Sequence, residues 1–327
     1  MNYWLRQFIR LSWGTLRHGR DRKETTVTQP RFPKGVDRLS VASVEHRIKP
    51  SRPVTSTPSH EDVKKTRFLV VLANYGDEQL NHLCRVVEEF QKFDSDRFHV
   101  DIVIHSNDHF AVESLNACEF AICRPENPHM IPSSCRRTIY ERRQDYDLFL
   151  YSENDQLYRQ TQIEAFIECT NILPENRIAG FLRYEESGDD RGRIYPDYFG
   201  AFRWKPRSVE VHGGKLFARF TNIHHAGFLL MKQHLDRVIE RTDFLEIRPP
   251  YNLKCSVGTN PYEYGDMTKM ICISELERFL THHLPDKYAT IKNSVFDVQD
   301  DRQMRRDIRW LMRSPTKNRT ATRRDIK

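Results

Sequence analysis

The chain has 327 residues, 38% hydrophobic, 30% charged and 11% aromatic, a globular composition with material for a sizeable core. Its formal charge of +7 is uneven: residues 1–60 hold 12 Lys/Arg against 4 Asp/Glu, residues 311–327 hold 6 against 1, and the span between sums to −6. Nucleic-acid binding needs positive charge on the folded body, so this distribution disfavours it, and no run reaches the roughly 18–20 apolar residues of a membrane-spanning helix.

Residues 1–20, MNYWLRQFIRLSWGTLRHGR, set Tyr3, Trp4, Leu5, Phe8, Ile9, Trp13 and Leu16 at helical spacing with arginines between them. The segment lacks the uninterrupted apolar stretch of a secretory signal. Two readings stay open: a basic amphipathic helix lying on a membrane surface, or a helix packed on the body or frayed in solution. Residues 21–65 are rich in Pro, Thr, Ser and charge without any period and read as a disordered linker.

The folded body is expected over residues 66–290. Residues 68–73 are a continuous apolar, β-rich run, as in a parallel strand buried on both faces. Residues 77–92 follow with Leu80, Leu83, Val86, Val87 and Phe90 on one helical face. FHVDIVIHSN and CEFAICR are the next strands, and CRRTIYERRQ is a helix feeding a fourth strand at 147–151. This alternation predicts an α/β unit with right-handed crossovers, spanning 66–158.

The second half, 159–290, reads as mixed. A helix is expected at 163–173 and a strand at 177–184. Gly213-Gly214 marks a hairpin between SVEVH and KLFARF. HLDRVIERTDF and NPYEYGDMTKMI are read as helices, and 291–327 as a helical, basic tail. Seven cysteines without a CxxC or other paired spacing read as reduced structural thiols, neither a disulfide frame nor a zinc site, and imply a cytoplasmic setting.

Chemistry is expected where polar residues end the parallel strands, because ligands of open α/β sheets bind beyond the carboxyl ends. Ala73-Asn74-Tyr75, Ser106-Asn107-Asp108 and Glu153-Asn154-Asp155 are three such ends. Carboxylates there hold a hard divalent cation and, through it, a diphosphate. Extended alternation would put Glu153 and Asp155 on one side, protruding into a cleft, with Asn154 opposite. The bland alternative is an acidic turn after a strand.

The sequence RFLVVLANY … HVDIVIHSN … YDLFLYSENDQLY resembles a GT-A-fold nucleotide-sugar-dependent glycosyltransferase, over about residues 67–290. In that fold a D-x-D or E-D-D type motif follows a strand; here Asn154 replaces the middle acid. The resemblance implies an α/β, GT-A-like (Rossmann-like), mostly parallel central sheet flanked by helices, with a mixed α/β second half. It implies Asp155, Glu153 and His283 (or its neighbour His282) as ligands of Mn2+ or Mg2+. Ala73, Asn74, Tyr75, Asn107 and Glu153 would line the nucleotide-sugar. Glu263 or Asp266, i and i+3 near the start of a late helix, would be the catalytic base. Each of these has a plainer structural explanation, such as a dipole-favoured acidic turn or exposed histidines.

The partners implied are a nucleotide-sugar donor, UDP-sugar favoured, and a glycan or lipid-linked acceptor, with peripheral membrane contact through residues 1–20 and no nucleic acid. Two other readings remain: a catalytically inactive GT-A-like binding module, and a sugar-phosphate nucleotidylyltransferase. The single glycine in LANYGDEQLNH argues against the latter. Walker, G-x-S-x-G, H-E-x-x-H and G-x-G-x-x-G motifs are absent from the sequence. EESGDDRGR, with Glu185-Glu186, reads as a solvated loop.

Overall fold

The computed structural model describes residues 35–50, 65–290 and 298–314. The expected amphipathic segment 1–20 lies outside them, as do 51–64, 291–297 and the last residues of the basic tail.

A six-stranded sheet forms the centre. Its order is Gly227–Met231, Leu148–Glu153, Thr66–Ala73, Phe98–Ser106, Glu119–Ile122 and His46–Ile48. The middle four strands run parallel, and the two edge strands are antiparallel to their neighbours. The apolar runs explain this: Phe68 to Leu72 and Leu148 to Tyr151 are almost wholly buried, as strands covered on both faces must be.

The edge strand His46–Ile48 departs from the sequence reading, which placed 21–65 in a linker. Arg47 pins it, donating to Glu119 at 2.8 Å, Thr138 at 2.9 Å and Glu141 at 3.0 Å. Nearby, Leu39–Ser40 pairs with Glu246–Ile247.

Helices flank the sheet. Leu80–Gln91 buries Leu83, Val86, Val87 and Phe90, each worth roughly 1.5–3 kcal/mol of apolar burial. Helix Ile131–Glu141 packs on the parallel strands and carries the fully buried Arg136. Its guanidinium donates to the carbonyls of Phe244, Glu246, Ser256 and Val257, which ties helix Leu253–Tyr264 to the body. That helix also crosses close to strand Gly227–Met231. A Cβ at Gly227 would lie 2.2 Å from the Tyr151 carbonyl oxygen, so only glycine fits there.

The second half forms two further sheets. One runs Val298–Asp300, Arg193–Phe199, Leu182–Glu186, Leu280–His283, Gln156–Leu157; the other runs Trp204–His212, Lys215–Phe220, Thr268–Cys272, Arg177–Ala179. The expected hairpin is present, with Gly213 and Gly214 at φ 54° and 77° as a two-residue turn requires. Two boundaries differ from expectation. The single strand at 177–184 is two strands in different sheets. The helix expected at 260–271 begins at Leu253, capped by Asn252, and ends at Tyr264, so Asp266 lies beyond it and Thr268–Cys272 is strand. Helix Asp301–Arg313 packs through Met304 and Leu311. The whole is an α/β fold of mixed parallel and antiparallel sheets flanked by helices. Among the described residues no helix is long and apolar enough to cross a membrane.

Candidate functional site

Three parallel strands end level with one another, because Ala73 pairs with both His105 and Glu153. Asn74, buried, binds these ends together. Its Nδ2 donates to the Gly76 carbonyl at 2.9 Å and Ser106 Oγ at 3.3 Å, and its Oδ1 accepts from Asn154 Nδ2 at 2.6 Å. Asn107 Oδ1 accepts the Gly76 N–H at 2.8 Å, fixing a turn in which Gly76 has φ 66°. Ala73 is core, whereas Tyr75 is 60% exposed. The middle residue of the acidic motif thus has a definite task, since Asn154 supplies the amide donor that joins two strand ends.

The two acids part company. Glu153 is the last strand residue, half-buried, and its carboxylate meets no hydrogen-bond or ion-pair partner among the described residues. Asp155 is 4% exposed and faces inward, its Oδ2 3.4 Å from His283 Nε2. The expectation that both protrude on one side is corrected here: the chain turns at Asn154-Asp155, and period-two alternation holds only for extended backbone.

His283 sits between two carboxylates. Its Nδ1 lies 2.5 Å from Glu185 Oε1, and Glu185 is fully buried with its other oxygen accepting the Ala289 N–H at 2.8 Å. Burial alone would lower the His283 pKa; the bonds to Asp155 and Glu185 outweigh it and lift the imidazole to about 9. Burial would raise Asp155, but the His283 hydrogen bond and charge, with Arg183 and Lys287, hold it well below the ordinary carboxylate range. The imidazolium is thus buried against the Asp155 carboxylate and hydrogen-bonded to Glu185.

A second charged group stands behind it. Arg183 donates to Asp197 at 2.6 and 2.9 Å, and its backbone N–H at 2.9 Å. Lys269, 3% exposed, donates to the Phe181 carbonyl at 3.2 Å and lies 3.5 Å from His225 Nδ1. Burial pushes its ammonium down to about 7. Burial also holds His224 and His225 below their ordinary range, hence neutral.

Other candidates fall elsewhere. Burial, with the Glu153 charge adding to it, pushes the thiol of Cys255, in the first turn of helix Leu253–Tyr264, up to about 12. Glu263 lies about 12 Å further along that helix axis and accepts the Tyr251 hydroxyl at 2.8 Å. Desolvation raises its carboxyl pKa against that bond. Asp266 is exposed at φ 54°, 3.3 Å from Arg241 and 3.8 Å from Arg237. The shared helical face expected for Glu263 and Asp266 therefore does not exist. His282 stacks on Tyr184 at 4.9 Å.

Sequence reasoning missed Glu185, Arg183, Asp197 and Lys269. Alternation in LRYEE, placing Arg183 and Glu185 on one face of a strand, was the available signal. Glu185 is corrected from solvated loop to buried anchor of His283. Two open clefts, one lined by Ser43 to Arg47 with Arg137 and Glu141 and one by residues around Arg191 and Arg302, include neither Glu153 nor Asp155. In the second half, Cys169, Cys272 and Glu275 bring their ligand atoms within 4.8 Å of one another, a set capable of holding a metal ion.

No protein-family model and no curated protein matches the chain. Among solved structures, one described as the crystal structure of 4-diphosphocytidyl-2C-methyl-D-erythritol synthase aligns over 77% of this chain and 100% of its own, at 12% identity and a TM-score of 0.35. A likeness that loose bears on neither topology nor chemistry.

Proposed function

We propose that the chain is a metal-assisted transferase that takes a nucleotide-diphosphate donor at the ends of its parallel strands, with glycosyl transfer from a nucleotide-sugar as the reaction. The observation carrying this is the meeting of Asp155 with His283 just past the strand that ends at Glu153, at the sheet edge where α/β folds bind ligands. A carboxylate and an imidazole suit Mn2+ better than Mg2+, which prefers oxygen alone. Asp155 and His283 would hold the ion, with Glu153 serving it through water or contacting the donor, and the ion when bound would supply charge stabilisation for a diphosphate leaving group. Binding it through His283 would require that imidazolium to give up its proton. Glu185 keeps the imidazole oriented, and the Asn74–Asn154 and Asn107–Gly76 bonds hold the loop carrying Tyr75, whose exposed ring is free to stack on a base. The acceptor in this reading is a glycan or lipid-linked sugar, with residues 1–20 supplying peripheral membrane contact.

The test is release of free nucleotide from UDP-, GDP- and CMP-sugars with Mn2+ or Mg2+. The reading expects Mn2+-dependent UDP release that Asp155→Ala abolishes; turnover indifferent to metal sinks it. A second reading keeps the nucleotide site and changes the reaction to nucleotidyl transfer, or to binding without turnover. It is favoured by His283 itself, an imidazolium that already neutralises Asp155 without a metal ion. Pyrophosphate release from UTP or CTP with a sugar phosphate identifies nucleotidyl transfer. Nucleotide binding indifferent to Mn2+, with no turnover, identifies the binding module.

A further inference from the structure

Away from the strand ends, helix Gln160–Ile172 meets the last residue of strand Thr268–Cys272 and the turn that follows it. Cys169 comes from the helix, Cys272 from the strand end and Glu275 from the turn. Both thiols are fully buried, and the three ligand atoms lie within 4.8 Å of one another. A tetrahedral zinc ion separates such ligands by roughly 3.6–3.8 Å, so small side-chain adjustments close the set.

The Cys272 sulfur is held as a ligand would be. It lies 3.5 Å from Ser274 Oγ, a contact that orients the sulfur from outside the metal's own ligands. Lys215 pairs with Glu275 and, at 2.8 Å, with Glu168; Arg278 reaches Glu275 at 2.8 Å and Glu168 at 3.1 Å. Two carboxylates therefore already balance two cations. Exchanging the two thiol protons for one divalent ion leaves the cluster's net charge unchanged, so loading adds no net charge to the buried site.

We propose that Cys169, Cys272 and Glu275 form a zinc-binding site of three protein ligands that pins helix Gln160–Ile172 to strand Thr268–Cys272. Thiolates select a soft or borderline ion, so this site is chemically distinct from the Mn2+-type donor set at Asp155. The step is an exchange: two sulfur–hydrogen bonds break, two zinc–sulfur bonds form, and two protons leave to solvent.

The test uses the full chain, expressed without a histidine tag and purified under reducing conditions without chelator. Elemental analysis is expected to find about one zinc per chain, and cobalt substitution to give a thiolate-to-cobalt charge-transfer band. Cys169→Ser and Cys272→Ser are each expected to weaken cobalt binding by more than about tenfold, while Asp155→Ala leaves the band intact. No band with both thiols reduced, a band surviving both serine variants, or a Cys169–Cys272 disulfide in the reduced preparation overturns the proposal. Should the serine variants fail to fold, alkylation of the parent chain decides: zinc is expected to protect both cysteines, and equal labelling with and without zinc overturns it.

Discussion

Replacing His283 with glutamine keeps a hydrogen-bonding side chain between Asp155 and Glu185 but removes its charge. The lift of the imidazole from 6.5 to about 9 corresponds to about 3 kcal/mol of preferential proton binding by the folded chain. Since the folded value lies above the unfolded one, that stabilisation is complete below about pH 6.5 and fades as pH climbs through about 9. Asp155 has the opposite sign: its share is present above 3.8 and is lost only as pH falls through its depressed folded value. Lys269, pushed down to about 7, adds stability as pH rises above that value, so parent and variant must be compared at each pH to cancel it. Urea unfolding should show the parent ahead of His283→Gln by about 3 kcal/mol near pH 6, with the gap shrinking below about 1 kcal/mol above pH 9.5. A gap of equal size at both pH values refutes the buried imidazolium.

Asn154→Ala removes the 2.6 Å bond to Asn74 and should lower stability by about 1–2 kcal/mol; an unchanged thermal melt contradicts the role given to this amide. Gly227→Ala forces a Cβ to within 2.2 Å of the Tyr151 carbonyl oxygen and 3.2 Å of the Ser152 Cα. It should cost more than about 2 kcal/mol in the same melt or abolish soluble expression. Asp266→Asn keeps a residue tolerant of the left-handed backbone and loses only exposed ion pairs, so stability should move by no more than about 0.5 kcal/mol and donor hydrolysis not at all. A large loss of turnover in that variant would return Asp266 to the chemistry.

The parallel sheet was legible because strands covered on both faces must be written as unbroken apolar runs, as at Phe68 to Leu72 and Leu148 to Tyr151. The hairpin at Gly213-Gly214 was legible because few residues accept two successive positive φ angles. Asn74, Asn107, Glu153 and Asp155 stood out as polar residues directly after those strands, and His283 was named through a resemblance. What stayed hidden was which charges the fold buries. Glu185 lies in a run as hydrophilic as any surface loop, and only His283 and the Ala289 N–H, distant in sequence, make its burial tolerable. Edge strand His46–Ile48 owes its place to Arg47 bonding Glu119, Thr138 and Glu141, not to local apolar pattern. Cys169 and Cys272 meet through tertiary packing, with no spacing to announce them.

Calorimetric titration of UDP with and without Mn2+, on the parent chain and on Glu153→Gln and Asp155→Asn, tests the central claim most directly. The Glu153 carboxylate has no hydrogen bond or ion pair among the described residues to lose, so its variant separates ligand binding from folding. The account predicts that Mn2+ tightens UDP binding by at least about tenfold, a coupling of about 1.4 kcal/mol, and that either substitution abolishes the gain. Equal affinity with and without Mn2+, or a gain that survives both substitutions, contradicts it.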